Sequence, residues 1–319
     1  GAKGFAFLNM LQLIGWTSIM IYDAMLALQE LAPLSPMIWT IAIGALVILW
    51  LFIGLHNTGY IQAIVSVLLL GLTLYMGAHM ISQWPSEGSL LTSGNMSFIA
   101  ALELSIAMPL SWLPLISDYT RESKKPFSAS LTSATVYTIT SIVMYTLGLS
   151  AAIFGGGDSI ITIMMNAGLG LAGLIIIIFS TVTTTFMDAY SAGVSSTTIY
   201  NGASSKGIAV IVTIVGTIAA ILYPMDDITD FLYLIGSVFA PMIAILLADY
   251  FINRQQVQIV SAYLIRGLIW AVSVGLYHYM LHSESTIGAT LPTFTMDFVV
   301  TAIVGFISKT AHTSAEIKQ

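Results

Sequence analysis

The densest run of oxygen-bearing side chains in the sequence is STVTTTFMDAYSAGVSSTT, residues 180–198. A helix over this segment places six polar residues on one face: Ser180, Thr181, Thr184, Asp188, Ser191 and Ser195. Hydroxyl and carboxylate oxygens are hard ligands that suit a small cation such as Na⁺, and Asp188 is suited to gripping a polar ligand. The alternative is structural, because Ser and Thr also bond to carbonyls of their own helix or join neighbouring helices.

A second polar face lies in NMLQLIGWTSIMIYD, where helical spacing aligns Asn9, Gln12, Trp16, Met20 and Asp23. Amides donate and accept hydrogen bonds, and an indole offers a flat surface. Together they predict a slot for a planar, hydrogen-bonding ring. An interfacial Trp with amides that pack helices is the alternative, but Trp16 lies in the middle of an apolar run rather than at its end.

A third feature is SWLPLISDYTR, residues 111–121, which closes an apolar run containing Pro109 and Pro114. Each proline removes a backbone donor and disturbs the preceding turn, so we expect the helix to break near 109–114. Broken backbone at membrane depth is tolerated where it lines a cavity, which would place Ser111 and Trp112 at a binding site. A plain proline kink is the alternative.

Composition indicates the setting of these features. The chain has 57% hydrophobic and 8% charged residues, whereas a soluble domain carries about a quarter charged residues. This predicts an all-α integral membrane protein with the lipid bilayer as its main partner. The net charge of −6 argues against nucleic acid as a partner, and the absence of Cys excludes thiol catalysis and thiolate metal sites.

Apolar runs predict ten membrane spans in one transporter domain, 1–319. The spans are 4–29, 37–55, 60–82, 97–117, 127–154, 166–198, 207–223, 229–252, 262–282 and 292–309. With the first span starting in the cytoplasm, all nine Lys and Arg residues fall on the cytoplasmic side, as the positive-inside rule requires.

Several acidic residues fall inside or near these spans, where a charge costs about 2.5–3.5 kcal/mol at the bilayer centre. We expect Asp23 and Asp297 to reach the membrane surface from near helix ends, and Asp249 to anchor an interface. Glu103 and Asp188 lie deeper, so a cavity or a partner is expected for each.

The set of motifs resembles the nucleobase:cation symporter family of cytosine permease and the hydantoin transporter. SWLPLISDYTR resembles its sixth helix, FAPMIAILLADYFINRQ (239–255) its tenth, and NMLQLIGWTSIM its third. Combined with STVTTTFMDAYSAG, the pattern is most similar to the CytX-type branch of hydroxymethylpyrimidine transporters linked to thiamine synthesis. The resemblance implies a twelve-helix LeuT-like fold with inverted repeats, so we expect the ten spans to be the third to twelfth helices of an N-terminally truncated chain.

The resemblance also implies roles for particular residues. Trp16 matches the Trp that stacks on the substrate ring, Gln12 a nearby polar contact, and Ser111 with Trp112 the pair at the sixth-helix break. Asp188, with Phe186 as the alternative register, stands where the family has an Asn on the substrate, which suits an aminopyrimidine. The implied sodium ligands, in two registers, are Ser180, Thr181, Thr183 and Thr184.

The function predicted from the sequence is therefore a symporter in the inner (cytoplasmic) membrane that imports a pyrimidine-like ring such as hydroxymethylpyrimidine. Its coupling ion would be Na⁺ or H⁺, and no other cofactor or metal is expected. Another ring, such as cytosine, a purine, allantoin or hydantoin, is the first alternative. A membrane-embedded enzyme is less favoured because no catalytic motif such as H-E-x-x-H occurs in the sequence.

Overall fold

The computed structural model describes residues 1–31, 34–53, 55–82, 96–120, 123–154, 168–225, 228–254, 260–283 and 286–316. The structure is 90% helical and, within these ranges, contains no β-strand. The α-helices are α1 (Ala2–Leu31), α2 (Pro36–Ile53), α3 (Leu55–Ser82), α4 (Phe98–Thr120), α5 (Pro126–Phe154), α6 (Gly170–Ile199), α7 (Ser205–Leu222), α8 (Thr229–Leu247), α9 (Val260–His282) and α10 (Thr290–Glu316). A π-helix, Ala248–Asn253, directly continues α8.

These helices confirm the predicted spans. Ten of them are long and apolar enough to cross a bilayer, and each coincides with one of the ten apolar runs. The physical reason is that hydrocarbon cannot bond to backbone N–H and C=O groups, so each spanning segment must satisfy them internally as a helix.

The described chain divides into two compact units. The first unit comprises residues 2–93 and 115–226, and the second comprises 94–114 and 227–319. Helix α4 therefore contributes residues up to Pro114 to the second unit and residues from Leu115 onwards to the first. Whether the whole chain acts as one transporter domain stays a prediction.

Small residues let the helices of the first unit approach closely. A Cβ atom on Gly193 of α6 would lie 2.1 Å from the Ser205 carbonyl oxygen at the start of α7. A Cβ on Gly216 of α7 would lie 2.7 Å from Thr17 Cγ2 of α1. Because lipid is as apolar as a Leu side chain, association in the membrane depends on such close packing rather than on a hydrophobic driving force.

The second unit is organised around a buried carboxylate. Glu103 of α4 is 5% exposed and accepts hydrogen bonds from the N–H groups of Ala289 (3.0 Å) and Thr290 (2.9 Å), at the start of α10. The hydroxyls of Thr290 and Tyr277 (3.3 Å) also donate to it. Glu103 thus caps a helix N-terminus, whose free N–H groups and dipole favour an anion. The sequence analysis expected a cavity or a partner for Glu103, and the structure gives it a partner in the start of α10.

An ion pair joins the π-helix to α9. Arg266 donates to both carboxylate oxygens of Asp249, with Nη2 2.6 Å from Oδ1 and Nε bonded to Oδ2. Asn253 Nδ2 also donates to Asp249 Oδ1, at 2.8 Å. Asp249 was expected at an interface, and the structure instead gives it a side-chain partner on a neighbouring helix.

The expected break near 109–114 is not found. The structure has one α-helix from Phe98 to Thr120, with Pro109 and Pro114 inside it. The fixed φ of proline is itself helical, and membrane helices tolerate the lost donor where nearby groups take up the freed carbonyl. Because the backbone at Ser111 is helical, and its Oγ donates to Met108 O at 2.7 Å, the argument for a cavity built on free backbone groups loses its basis.

The close contact at Gly193 gives a stability prediction. Gly193→Ala should destabilise the protein by about 1–3 kcal/mol, because the added Cβ meets a backbone oxygen that cannot rotate away. Thermal unfolding of the purified protein in detergent measures the effect. The control is Gly71→Ala in α3, where a Cβ meets nothing within 4 Å and Ala is the better helix former. Equal melting temperatures for the two variants would contradict the packing described here.

Candidate functional site

The most extensive helix–helix contact in the described chain is between α1 and α6. Near the start of α1, Asn9 Nδ2 donates to Ser195 Oγ at 2.8 Å. Leu13 packs in a cluster with Ala192, and near the other end Leu28 packs in a cluster bordered by Leu174. Since the α6 partners fall in number as the α1 residues rise, the two helices are antiparallel.

This register places Trp16 and Asp188 at one level. Trp16 follows Asn9 by seven residues, and Asp188 precedes Ser195 by seven. Seven residues are close to two helical turns, about 10.5 Å, so each residue keeps the face of its counterpart in the Asn9–Ser195 contact. The two predicted substrate residues of the first unit therefore lie on facing sides of an antiparallel helix pair.

The carboxylate of Asp188 has unusual surroundings. Its side chain is 8% exposed, and it makes no hydrogen bond or ion pair with any described residue. Buried charges in proteins are normally paired, because an unpaired one is costly away from water. Asp188 therefore has the properties of a group whose partner arrives from outside the chain.

Gln12, the other predicted polar contact on α1, is held in a short chain of amides. Its Nε2 donates to Asn9 Oδ1 at 2.8 Å, and Asn9 in turn donates to Ser195. Gln12 and Asn9 are 5% and 2% exposed. This chain of hydrogen bonds fixes the orientation of the amides one to two turns from Trp16.

The predicted sodium ligands divide into two pairs. The hydroxyls of Thr183 and Thr184 both donate to Ser180 O, at 3.0 and 2.9 Å, as the structural alternative expects. Donation leaves the lone pairs of each oxygen available, so these bonds do not remove either residue as a cation ligand. Ser180 and Thr181 are partly buried, and their hydroxyls make no hydrogen bond with a described residue. Their ion-binding role stays a prediction.

Two buried hydroxyls near this level were not among the predicted site residues. Thr17 and Thr185 are each 0% exposed, and neither Oγ1 has a hydrogen-bond partner among the described residues. Thr185 belongs to the run of hydroxyl residues that the sequence analysis singled out, but the two registers of the family resemblance select its neighbours as ion ligands. Periodicity alone does not tell which hydroxyls of such a run find partners.

Ser111 and Trp112 belong to the second unit. Ser111 is 3% exposed and Trp112 is partly buried. Their convergence with Trp16 and Asp188 on one cavity stays a prediction.

A comparison with protein families identifies the family of the chain. Residues 4–283 match the model of a family described as permeases for cytosine and purines, uracil, thiamine and allantoin. The chain belongs to this permease family. The match confirms the coarser part of the sequence-based resemblance, and it covers α1 to α9 almost completely.

Relatives of the chain in this family include the cytosine permeases of Escherichia coli strains K12, O6:H1 and O157:H7. Each is 25% identical to the chain over 185 residues, which is 57% of the chain and 44% of the relative. The match thus spans less than half the length of these relatives.

The surroundings of Asp188 predict opposite effects on stability and on ligand binding. Asp188→Asn keeps the shape of the side chain and replaces a buried carboxyl group that has no partner among the described residues, so the melting temperature should stay level or rise. Binding of the permease ligand should weaken by about tenfold or more, because a hydrogen bond to a carboxyl oxygen is lost or weakened. Thermal unfolding and equilibrium binding measure the two effects.

The matched control is Asp230→Asn, which removes an exposed carboxylate in the first turn of α8. It should leave ligand binding unchanged. A large loss of stability in Asp188→Asn with intact binding would instead identify Asp188 as a structural residue.

Proposed function

We propose that the protein is a cation-coupled symporter that imports a pyrimidine-like ring, such as hydroxymethylpyrimidine, across the cytoplasmic membrane. The observation that carries the proposal is the buried, unpaired Asp188 at the level of Trp16 on the facing helix. Membership of the permease family supports transport of a small heterocycle. A LeuT-like arrangement of inverted repeats is part of the proposal, because it follows from the family resemblance.

The substrate class follows from the two facing side chains. The indole of Trp16 supplies a flat surface on which a planar ring stacks. The carboxyl group of Asp188 accepts hydrogen bonds, so it favours a ring with an exocyclic amine, which presents two N–H donors. An aminopyrimidine is planar and carries such an amine, whereas uracil is planar but has no exocyclic amine.

The oxygen atoms of α6 support the cation coupling. Ser180 and Thr181 lie two turns beyond Asp188, on the same face of the helix, and their hydroxyls have no described partner. Thr181 precedes Asp188 by seven residues, so the register that pairs Trp16 with Asp188 sets Thr181 at the level of Asp23 on α1. A carboxylate at the level of free hydroxyls suits a small hard cation.

Another ring on the same fold is the second candidate. The relatives named cytosine permease favour cytosine, which also carries an exocyclic amine, and the family description extends to purines and allantoin. The hydantoin ring, to which the sequence resemblance extends, is a further candidate. A membrane-embedded enzyme remains the least favoured function.

A binding screen tests the proposed substrate class. The natural protein that contains this sequence is purified and titrated with hydroxymethylpyrimidine, cytosine, uracil, hypoxanthine and hydantoin, with and without Na⁺. We expect the two aminopyrimidines to bind at least about tenfold more tightly than uracil, since uracil leaves the carboxylate without an amine donor. Trp16→Phe should lower by a similar factor the affinity for every ring that binds, because it reduces the stacking surface. Tightest binding by a ring without an amine would refute the role given to Asp188.

Replacement of the α6 hydroxyls tests the coupling ion. Thr183→Val combined with Thr184→Val keeps side-chain volume and removes two oxygens, so uptake should fail or lose its Na⁺ dependence. Radiolabelled uptake in cells with matched protein levels measures this. The control is Thr138→Val combined with Thr140→Val in α5, where two exposed hydroxyls also bond to their own helix. Equal Na⁺ stimulation in both double variants would assign the α6 hydroxyls to helix packing.

A further inference from the structure

A second buried carboxylate lies in the second unit, among residues that the proposed transport site does not use. Asp297 of α10 is 0% exposed, although its position near a span end predicted access to water, and that expectation is wrong. Its Oδ1 accepts a hydrogen bond from Ser273 Oγ of α9. Its Oδ2 is buried and has no hydrogen-bond partner among the described residues.

A second oxygen without a partner lies one turn away. Thr301 follows Asp297 by four residues, so the two side chains share a face of α10. Thr301 is 1% exposed, and its Oγ1 also has no partner within the described chain. Other buried threonines of the described chain donate to a carbonyl one turn back, as Thr293 does to Ala289 O at 2.7 Å and Thr213 does to Ala209 O at 2.9 Å. The hydroxyl of Thr301 makes no such bond, and it lies one helical turn from Asp297, whose Oδ2 also lacks a described partner.

The charged groups nearby do not compensate Asp297. The elements packed against α10 are α8, the π-helix and α9. Their ionisable residues with described side chains, together with the capping residue of α4, are Asp230, Tyr233, Asp249, Tyr250, Tyr263, Arg266, Tyr277, His278, Tyr279, His282 and Glu103. None of them forms a hydrogen bond or an ion pair with Asp297, which bonds only to Ser273 among the described residues.

Arg266 is connected to this part of α10 through hydrogen bonds, but its guanidinium is bonded to a different carboxylate, Asp249. Asn253 Nδ2 donates to the backbone oxygen of Thr301 at 3.1 Å and to Asp249 Oδ1 at 2.8 Å. Asp249 in turn takes both hydrogen bonds of the Arg266 fork. Arg266 therefore neutralises Asp249, and it forms no ion pair with Asp297.

We propose that Asp297, Thr301 and Ser273 form a binding site for one small monovalent cation, either Na⁺ or a proton. The donor set consists of carboxylate and hydroxyl oxygens alone, which suits a hard cation and not a soft transition metal. A Na⁺ ion would lie against Oδ2 and Thr301 Oγ1. A proton would form an O–H bond at Oδ2, directed at Thr301 Oγ1, and would return to water on release.

The site is distinct from the hydroxyl face of α6, which belongs to the other unit. It does not depend on which ring the permease carries. Ionisable residues inside membrane helices commonly mark ion or proton pathways, which gives a cation at Asp297 a natural role in coupling.

Thermal unfolding of the purified protein in detergent tests the site. The melting temperature is recorded against Na⁺ concentration, with choline keeping the ionic strength constant, and against pH in the absence of Na⁺. The proteins are the unmodified chain, Asp297→Asn and the exposed-carboxylate control Asp230→Asn. A cation that binds only the folded state should raise the melting temperature on the order of several degrees at saturation.

Loss of the Na⁺ response in Asp297→Asn alone supports a Na⁺ site. A Na⁺ response that matches the unmodified chain, together with a flattened pH response in Asp297→Asn, supports a proton site. Identical Na⁺ and pH responses in all three proteins would overturn the proposal.

Thr301→Val keeps the test decisive if Asp297→Asn does not fold. It removes one oxygen at nearly constant volume, so the Na⁺ or pH midpoint should move by about tenfold in concentration. The control is Thr295→Val, whose exposed hydroxyl donates to Leu291 O at 2.8 Å on the same helix. Midpoints of Thr301→Val that coincide with those of Thr295→Val and the unmodified chain would overturn the proposal.

Discussion

A polar atom that leaves water for a membrane interior must find a partner inside the protein, because hydrocarbon offers none. Glu103 meets this requirement at the N-terminus of α10, and Asp249 meets it with the guanidinium of Arg266. Both carboxylates hold helices of the second unit together. Asp188 and Asp297 are also buried, yet each leaves at least one oxygen without a partner among the described residues. This difference is the reason for proposing Asp188 and Asp297, and not Glu103 or Asp249, as ligand-binding groups.

The same requirement explains how the first unit presents its candidate site. Close contacts at Gly193 and Gly216 bring α7 against α6 and α1, the two helices that carry the candidate site. The Asn9–Ser195 bond then sets the register of α1 against α6. In that register, Trp16 and Asp188 each lie two helical turns from the Asn9–Ser195 bond, at the same level. A flat surface and an unpaired acceptor at one level are the two features that a heterocycle permease needs.

Each unit has a buried carboxyl group on a spanning helix with an oxygen that lacks a partner among the described residues. Asp188 lies at the level of the Trp16 indole on the facing helix, which suits an organic ring, and Asp297 accepts a hydrogen bond from the Ser273 hydroxyl, which suits an ion. A symporter has to bind both kinds of ligand and to make the binding of one depend on the other. Under the two proposals made above, the ring and the cation would bind on different helices.

The sequence by itself determined the class of protein, the ten spans and the polar faces of α1 and α6, because hydropathy and helical periodicity are local properties. It also singled out Trp16 and Asp188 by residue type and spacing. The tertiary structure decided which buried groups find partners: Glu103 caps α10, Asp297 is buried rather than exposed, and α4 continues through its prolines. These outcomes depend on neighbours far away in the chain, such as Thr290 for Glu103 and Ser273 for Asp297. The sequence around a residue does not specify which distant residues it will contact, so these partners could be assigned only from the packed helices.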